Sequence, residues 1–277
     1  MPVTDIAVRF WGVRGSIPCP GRGTARYGGN TACVEVRCGE RLIIFDAGTG
    51  LRLLGNSLLA ARTSVHADIF LSHCHVDHIG GLPFFAPCYL PASQIRLWAG
   101  NLLPDRAIAQ VARLVMSDPL FPPAPGIFRA NITFRDFRSG EVIEPHPGIT
   151  LRTAPLNHPG RATGYRLEYA NRVVAYITDT EHRPGQIDAN VTALAAGADL
   201  MIYDCNYTDD EFPSHAGWGH STWQEGLRIL KAAGAKRLVI FHHDPDHDDD
   251  FLDIVGAQAA ARDLATIVAR EGLTLDI

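Results

Sequence analysis

No apolar run in this 277-residue chain approaches the roughly 20 residues that a membrane-spanning helix needs, so a helical span is excluded. No CxxC pair occurs among the six cysteines (Cys19, Cys33, Cys38, Cys74, Cys88 and Cys205), which removes a zinc ribbon. The opening MPVTDIAVRF has no basic segment leading into an apolar one, so no secretory leader is expected. The cysteines then read as reduced, packed thiols of a cytoplasmic protein. Positive charge is in short supply: 25 Lys and Arg face 30 Asp and Glu, for a net charge of −5. Binding a long nucleic acid rests on cations that neutralise phosphates, so a broad surface for it is not expected. A small anion needs only one local cluster and stays open. Low-complexity stretches, flexible linkers and short-period repeats are missing too.

What is present is a soluble composition, 46% hydrophobic and 20% charged, in a chain long enough to bury a sizeable core. Short apolar runs bounded by Gly, Pro and Asp recur. AVRFWG, ACVEVRC and RLIIFDA predict three strands, and GLRLLGNSLLAA a helix. ADIFLSH predicts a strand, HIGGLPFFA a short helix, IRLWAG a strand and AIAQVARLVM a helix. ITFRDF, GITLRTAPL, TGYRLEYA, RVVAYITD, DLMIYDC and KRLVIFHH predict further strands. STWQEGLRILKAAG is an amphipathic helix, and FLDIVGAQAAARDLATIVAREG predicts a terminal one. The Pro-rich SDPLFPPAPG, residues 117–126, reads as an ordered loop. Two similar halves, each a sheet with helices outside, fit an α/β sandwich formed as one domain over residues 1–277.

Polar residues gather where these strands stop. RLIIFDAGTG ends in Asp46, LRTAPLNHPG in His158, VVAYITDTEH in Asp179, and LVIFHHDP in His242 and His243. IFLSHCHVDH ends in His73, His75, Asp77 and His78, within six positions. A lone His or Asp at a strand end is usually a turn. Five strands that all stop at metal-type ligands are hard to assign to turns. In extended chain, residues i and i+2 point the same way, so His73 and His75 can reach one ion. Asp77 and His78 follow the bend and face a neighbouring position, with Asp77 also placed to cap the next helix. Imidazole with carboxylate suits zinc, with manganese or iron as alternatives.

SHCHVDHIGG matches the HxHxDH signature of the metallo-β-lactamase superfamily, and the other strand-end residues follow in that family's order. The resemblance implies an αββα sandwich, two mixed sheets packed face to face with helices outside, and a two-metal site at one edge. It implies that His73, His75 and His158 hold one metal, that Asp77, His78 and His242 hold the other, and that Asp179 bridges them. Asp46 would lie behind the ligands and orient them. His242 is preferred to His243 because ribonuclease Z-like relatives place the ligand three residues before a proline, here Pro245; His243 is the fallback.

Two further motifs resemble the phosphodiesterase branch, which includes ribonuclease Z and cyclic-phosphate esterases. DLMIYDCNY places Asp204 at that branch's acidic position, and GWGHSTWQE places His220 in a His-Ser-Thr motif 22 residues before His242. The resemblance makes His220, held by Asp204, a proton donor to the leaving group; Asp77, His220 and Asp204 are the catalytic candidates. Ser221 or Thr222 would cap the following helix. FWGVRGSIPCPG and YGGNTACVEV resemble a neighbouring subgroup of hydrolases. Gly12, Gly15, Gly28 and Gly29 would let backbone run close to the site, with Arg14 and Tyr27 as candidate substrate contacts. Residues 83 to 130 lack the long basic arm of transfer-RNA processing enzymes.

The function expected is therefore a two-metal phosphodiesterase acting on a small, even cyclic, phosphodiester. A lactone, ester or lactam hydrolase on the same fold and a ribonuclease Z-type endonuclease are the alternatives. The partners expected are a small anionic substrate and a second copy of the chain in a homodimer, with no membrane and no large nucleic acid.

Overall fold

The structure is a computed structural model that describes residues 6–61, 63–122 and 128–277. The chain opens with β1 (Ile6–Gly12), β2 (Cys33–Cys38) and β3 (Arg41–Phe45). Then come α1 (Gly50–Ala61), β4 (His66–Leu71), the short α2 (Val76–Ile79), two 3-10 turns, β5 (Gln94–Ala99), α3 (Ile108–Val115) and β6 (Asn131–Asp136). The second half runs β7 (Val142–His146), β8 (Ile149–Leu156), β9 (Ala162–Tyr169), β10 (Arg172–Ile177), α4 (Ala189–Ala195) and β11 (Leu200–Asp204). It finishes with α5 (Phe212–His215), α6 (Trp223–Ala233), β12 (Leu238–Phe241), α7 (Asp249–Arg262), β13 (Thr266–Val268) and β14 (Thr274–Asp276).

Among the described residues the strands form two seven-stranded mixed sheets, ordered β14-β1-β2-β3-β4-β5-β6 and β13-β12-β11-β10-β9-β8-β7. The central strands are apolar on both faces because both faces are covered. In β3, Ile43 and Phe45 enter the core between the sheets, while Leu42 and Ile44 pack outward under α1. In β11, Leu200 and Ile202 face inward, and Met201 and Tyr203 pack under the helices of the second half. This period-two division places one apolar layer between the sheets and one outside each, which is an αββα sandwich.

The topology collects the site. β3, β4 and β5 run parallel, as do β10, β11 and β12, and β8 runs alongside them through its antiparallel partner β9. The C-terminal ends of β3, β4, β8, β10, β11 and β12 therefore open onto one edge of the sandwich.

Several expectations need correction. The terminal helix does not reach residue 272: α7 stops at Arg262, and Thr266–Val268 becomes β13, hydrogen-bonded parallel to β12. The β-branched Thr-Ile-Val run favours a strand once a free sheet edge is in reach. Gly272 then turns the chain, and β14 pairs antiparallel with β1 in the other sheet. The expected helix at 78–86 begins earlier, at Val76, and breaks at Gly80 into two 3-10 turns, Leu82–Phe84 and Ala86–Tyr89. Asp77 does not cap it: the residue lies in the first turn, and its Oδ2 accepts the Ser16 N–H at 2.8 Å. In the loop expected at 117–126, residues 123–127 lie outside the described residues. The six cysteines are free.

Candidate metal centre

Three of the strand ends deliver their side chains through a sharp backbone turn. Asp46, Asp179 and His242 come directly or one residue after β3, β10 and β12, and all three adopt left-handed backbone, with φ of 61°, 56° and 63°. Non-glycine residues rarely take this conformation, and it clusters where packing dictates a side-chain direction.

The side chains converge into overlapping groups, His73, His75 and His158 in one and Asp77, His78, Asp179 and His242 in an adjoining one, while His220 also groups with His158 and Asp179 and with Asp204 and His242. In the first, His158 Nε2 lies 3.2 Å from His75 Nδ1. In the second, His78 Nε2 lies 3.1 Å from His242 Nε2 and 3.1 Å from Asp77 Oδ2. Asp179 stands between them with one oxygen toward each: Oδ1 is 3.7 Å from His73 Nε2 and 3.8 Å from His158 Nε2. Its Oδ2 is 3.2 Å from His78 Nε2 and 3.3 Å from His242 Nε2.

Hydrogen bonds behind the cluster fix which ring nitrogen faces it. His78 Nδ1–H donates to Asp46 Oδ2 at 2.8 Å, and His158 Nδ1–H donates to the Gly219 carbonyl at 2.9 Å. Each ring therefore turns the lone pair of Nε2 to the centre. Asp46 is itself held by the Ser72 N–H, the Ser72 hydroxyl and the Tyr176 hydroxyl. Two tests show that the donor set fits divalent cations. His73 Nε2 is buried with no hydrogen-bond partner among the described residues, an acceptor aimed into the cluster. Lone pairs and carboxylates also converge there at distances where they repel one another unless a cation lies among them. The charge balance favours a cation there: burial works against a charge on His78, yet Asp179, Asp77 and Asp46 around it raise its imidazole well above the ordinary value, a proton on Nε2 taking the place that a metal ion would compete for.

His220 lies beside the cluster. Its Nδ1–H donates to Asp204 Oδ2 at 3.0 Å, and its ring stacks on His242 with centroids 5.1 Å apart. Asp204 is buried and also accepts the N–H groups of Thr180 and Asn206. Burial opposes the charged form of His220, but Asp204 outweighs it, and the imidazole is raised to about 9. Thr222 caps α6 through the Glu225 N–H, so capping and site placement come from adjacent residues of one motif.

Three sequence candidates lie elsewhere. His243 points away from the cluster, its Nε2–H donating to the Ala269 carbonyl. Arg14 is fully buried, with its guanidinium on the carbonyls of Gly28, Asp244 and His247, and has no face for substrate. The Tyr27 hydroxyl donates to Asp253 Oδ1 at 2.9 Å. Of the four glycines singled out, Gly15 is the one against the cluster: a Cβ there would stand 2.5 Å from His242 Cε1. Sequence reasoning missed Ser72, Tyr176 and Asn206, whose side-chain amide donates to the His242 carbonyl. It also missed Glu181, whose Oε2 accepts the N–H groups of Gly217 and Gly219.

A family model of the β-lactamase superfamily domain matches residues 41–243, which hold every residue of these groups and the Asp204–His220 pair and leave β1 and β2 outside. The chain belongs to the β-lactamase superfamily. Its sequence is 24% identical to the ribonuclease Z of Halobacterium salinarum, over 98% of this chain and 97% of that enzyme. The solved structure of the metallo-β-lactamase fold protein YhfI from Bacillus subtilis superposes with a TM-score of 0.70 at 19% identity, covering 98% of each chain. A diphosphatase of the PhnP family matches with a TM-score of 0.70 at 20% identity, again over 98% of each chain. The chain is thus a metal-dependent hydrolase of the metallo-β-lactamase fold. No helix of the described residues is long and apolar enough to cross a membrane.

Proposed function

We propose that this hydrolase is a phosphodiesterase that takes a small, even cyclic, phosphodiester at a centre of two divalent metal ions, most simply zinc. His73, His75 and His158 would hold one ion, Asp77, His78 and His242 the other, with Asp179 shared. When bound, two such ions supply a hydroxide nucleophile near neutral pH and take up charge on the phosphoryl oxygens. The protein's own residues supply the rest. Asp46 and the Gly219 carbonyl orient His78 and His158. Asp204 orients His220, which keeps a proton at neutral pH and gives it to the departing alkoxide oxygen.

The observation that carries this reading is the Asp204–His220 pair, 3.0 Å apart and against His242, while seven other residues already suffice as ligands. The ribonuclease Z relatives favour a second reading, RNA cleavage. The net charge of −5 supports a small substrate instead, as do β5 and α3 in the stretch where a basic arm would lie.

His220→Ala tests the role. The variant should retain both metal equivalents and lose about 10²- to 10⁴-fold in turnover on phosphodiesters with alkoxide leaving groups. The loss should shrink for bis(p-nitrophenyl) phosphate, whose leaving group departs without a proton. Loss of a metal equivalent would make His220 a ligand. Equal losses on good and poor leaving groups would end the proton-donor role, and wild-type activity on lactones alone would end the phosphodiester reading.

A further inference from the structure

Three exposed apolar side chains lie close along the chain to cluster residues or their hydrogen-bond partners. Val76 lies between His75 and Asp77 and is 78% exposed. Ile17 follows Ser16, whose N–H is bonded to Asp77, and is 59% exposed. Trp218, two residues before His220, is 62% exposed. A large aromatic left in water at the mouth of a site forgoes the burial that favours such side chains, so its position calls for a reason.

A loose loop does not explain it. Gly217 and Gly219, on either side of Trp218, both donate their N–H groups to Glu181 Oε2 at 2.8 Å. Trp218 itself donates its N–H to the His215 carbonyl. Both glycines have φ of 91°, a conformation closed to most side chains. The Gly219 carbonyl accepts from His158 Nδ1, so the peptide that presents Trp218 is continuous with one that orients a cluster histidine. The ring is braced as well. The Trp218 ring meets His215 edge to face, with centroids 5.0 Å apart, and His215 stacks on Tyr207 at 4.2 Å. Tyr207 in turn presents its ring edge-on to His220 at 6.2 Å. Consecutive aromatic rings thus connect the exposed indole to the candidate proton donor.

We propose that Trp218 is a stacking platform for a nucleobase, so that the substrate is a nucleotide whose scissile phosphodiester lies over the cluster while its base lies on the indole. This rests on the phosphodiesterase reading and narrows its substrate class. A rigid, pre-positioned aromatic offers a flat apolar partner at little entropic cost, and stacking of this kind accepts any base.

The test uses the metal-loaded protein with two cyclic phosphodiesters, adenosine 2′,3′-cyclic phosphate and glycerol 1,2-cyclic phosphate, the second of which lacks both the base and the ribose ring. Trp218→Ala should raise KM for the adenosine substrate about tenfold with kcat little changed, and leave the glycerol substrate unaffected. Trp218→Phe should recover most of the loss. A single-stranded RNA slowed by the same factor would put the base in a polymer, whereas a loss confined to the cyclic nucleotide puts it in a mononucleotide; the platform stands in both cases. Equal effects on the two cyclic substrates, or none on either, overturn it. A second readout is independent of turnover: AMP should quench tryptophan fluorescence saturably, ribose 5-phosphate should not, and Trp218→Phe should lose that quenching. If no phosphodiester is hydrolysed yet AMP quenches, the phosphodiesterase reading fails and the platform stands. If the glycerol substrate is hydrolysed and AMP does not quench, the platform alone fails.

Discussion

Asp46→Asn preserves the shape of a buried side chain and removes its charge. Four donors converge on Asp46: the Ser72 N–H on Oδ1 at 2.6 Å, and on Oδ2 the hydroxyls of Ser72 and Tyr176 at 2.8 and 2.7 Å and His78 Nδ1–H at 2.8 Å. Asparagine has one acceptor oxygen. If it takes the Oδ2 place, its NH₂ opposes the Ser72 N–H. If it takes the Oδ1 place, its NH₂ faces three donors. Either way at least one buried donor is orphaned, at a cost of about 1–3 kcal/mol in stability. The bond to His78 also loses its ionic partner, and charge-assisted bonds are roughly twice as strong as neutral ones. That bond keeps the proton on Nδ1 and the lone pair on Nε2. Weakening it should lower metal affinity by about 10- to 100-fold, which is about 1.4–2.8 kcal/mol. Competition with a chromophoric chelator reads the affinity, and a thermal melt of the metal-free protein reads the stability. Tyr176→Phe, which removes one donor and leaves the carboxylate, should move both measures less. Unchanged affinity and Tm in Asp46→Asn would refute the argument.

Two further outcomes follow from the same geometry. At Gly219 a Cβ would stand 2.3 Å from His158 Nδ1 on backbone with φ of 91°, so Gly219→Ala should weaken metal binding with little change in overall fold by circular dichroism; unaltered chelator competition would count against it. Burial, helped by Arg14 and nearby imidazoles, pushes His243 down to about 3. Its unfolded value is near 6.5, so the unfolded chain binds the proton first and stability is lost as pH falls from 6.5 toward 3. His243→Gln should flatten that loss by up to about 1.4 kcal/mol per pH unit, measured as urea midpoints at pH 7 and 4.5. Parallel slopes would show that His243 does not contribute.

The central strands were legible because both of their faces are buried, which writes an apolar run into the chain. β7 was not: VIEPH buries only its proline fully and lies at a sheet edge, so no pattern marks it. β13 was hidden differently. AAARDLATIVAR has helical spacing, and what makes Thr266–Val268 a strand is pairing with Leu238–Ile240, nearly 30 residues away and outside any local window. α4 is only seven residues long, and its clearest sign is the Asp188 cap, which accepts from Asn190 and Val191.

The site divides along the same line. A histidine or aspartate at the end of an apolar run is a local signal, and the parallel strands bring those ends to one edge without further instruction. The groups behind them carry no such signal. Tyr176 reaches Asp46 across 130 residues of chain, and Asn206 holds the His242 carbonyl from the segment after β11. Arg14 illustrates the converse error. A basic residue in a glycine-flanked loop suggests a contact for an anion, but its acceptors are backbone carbonyls of residues 28, 244 and 247, so the charge ends up tying the N-terminal loop to the segment after β12. Residue type announced the chemistry of the cluster; only the three-dimensional path of the chain decides which of those residues face it.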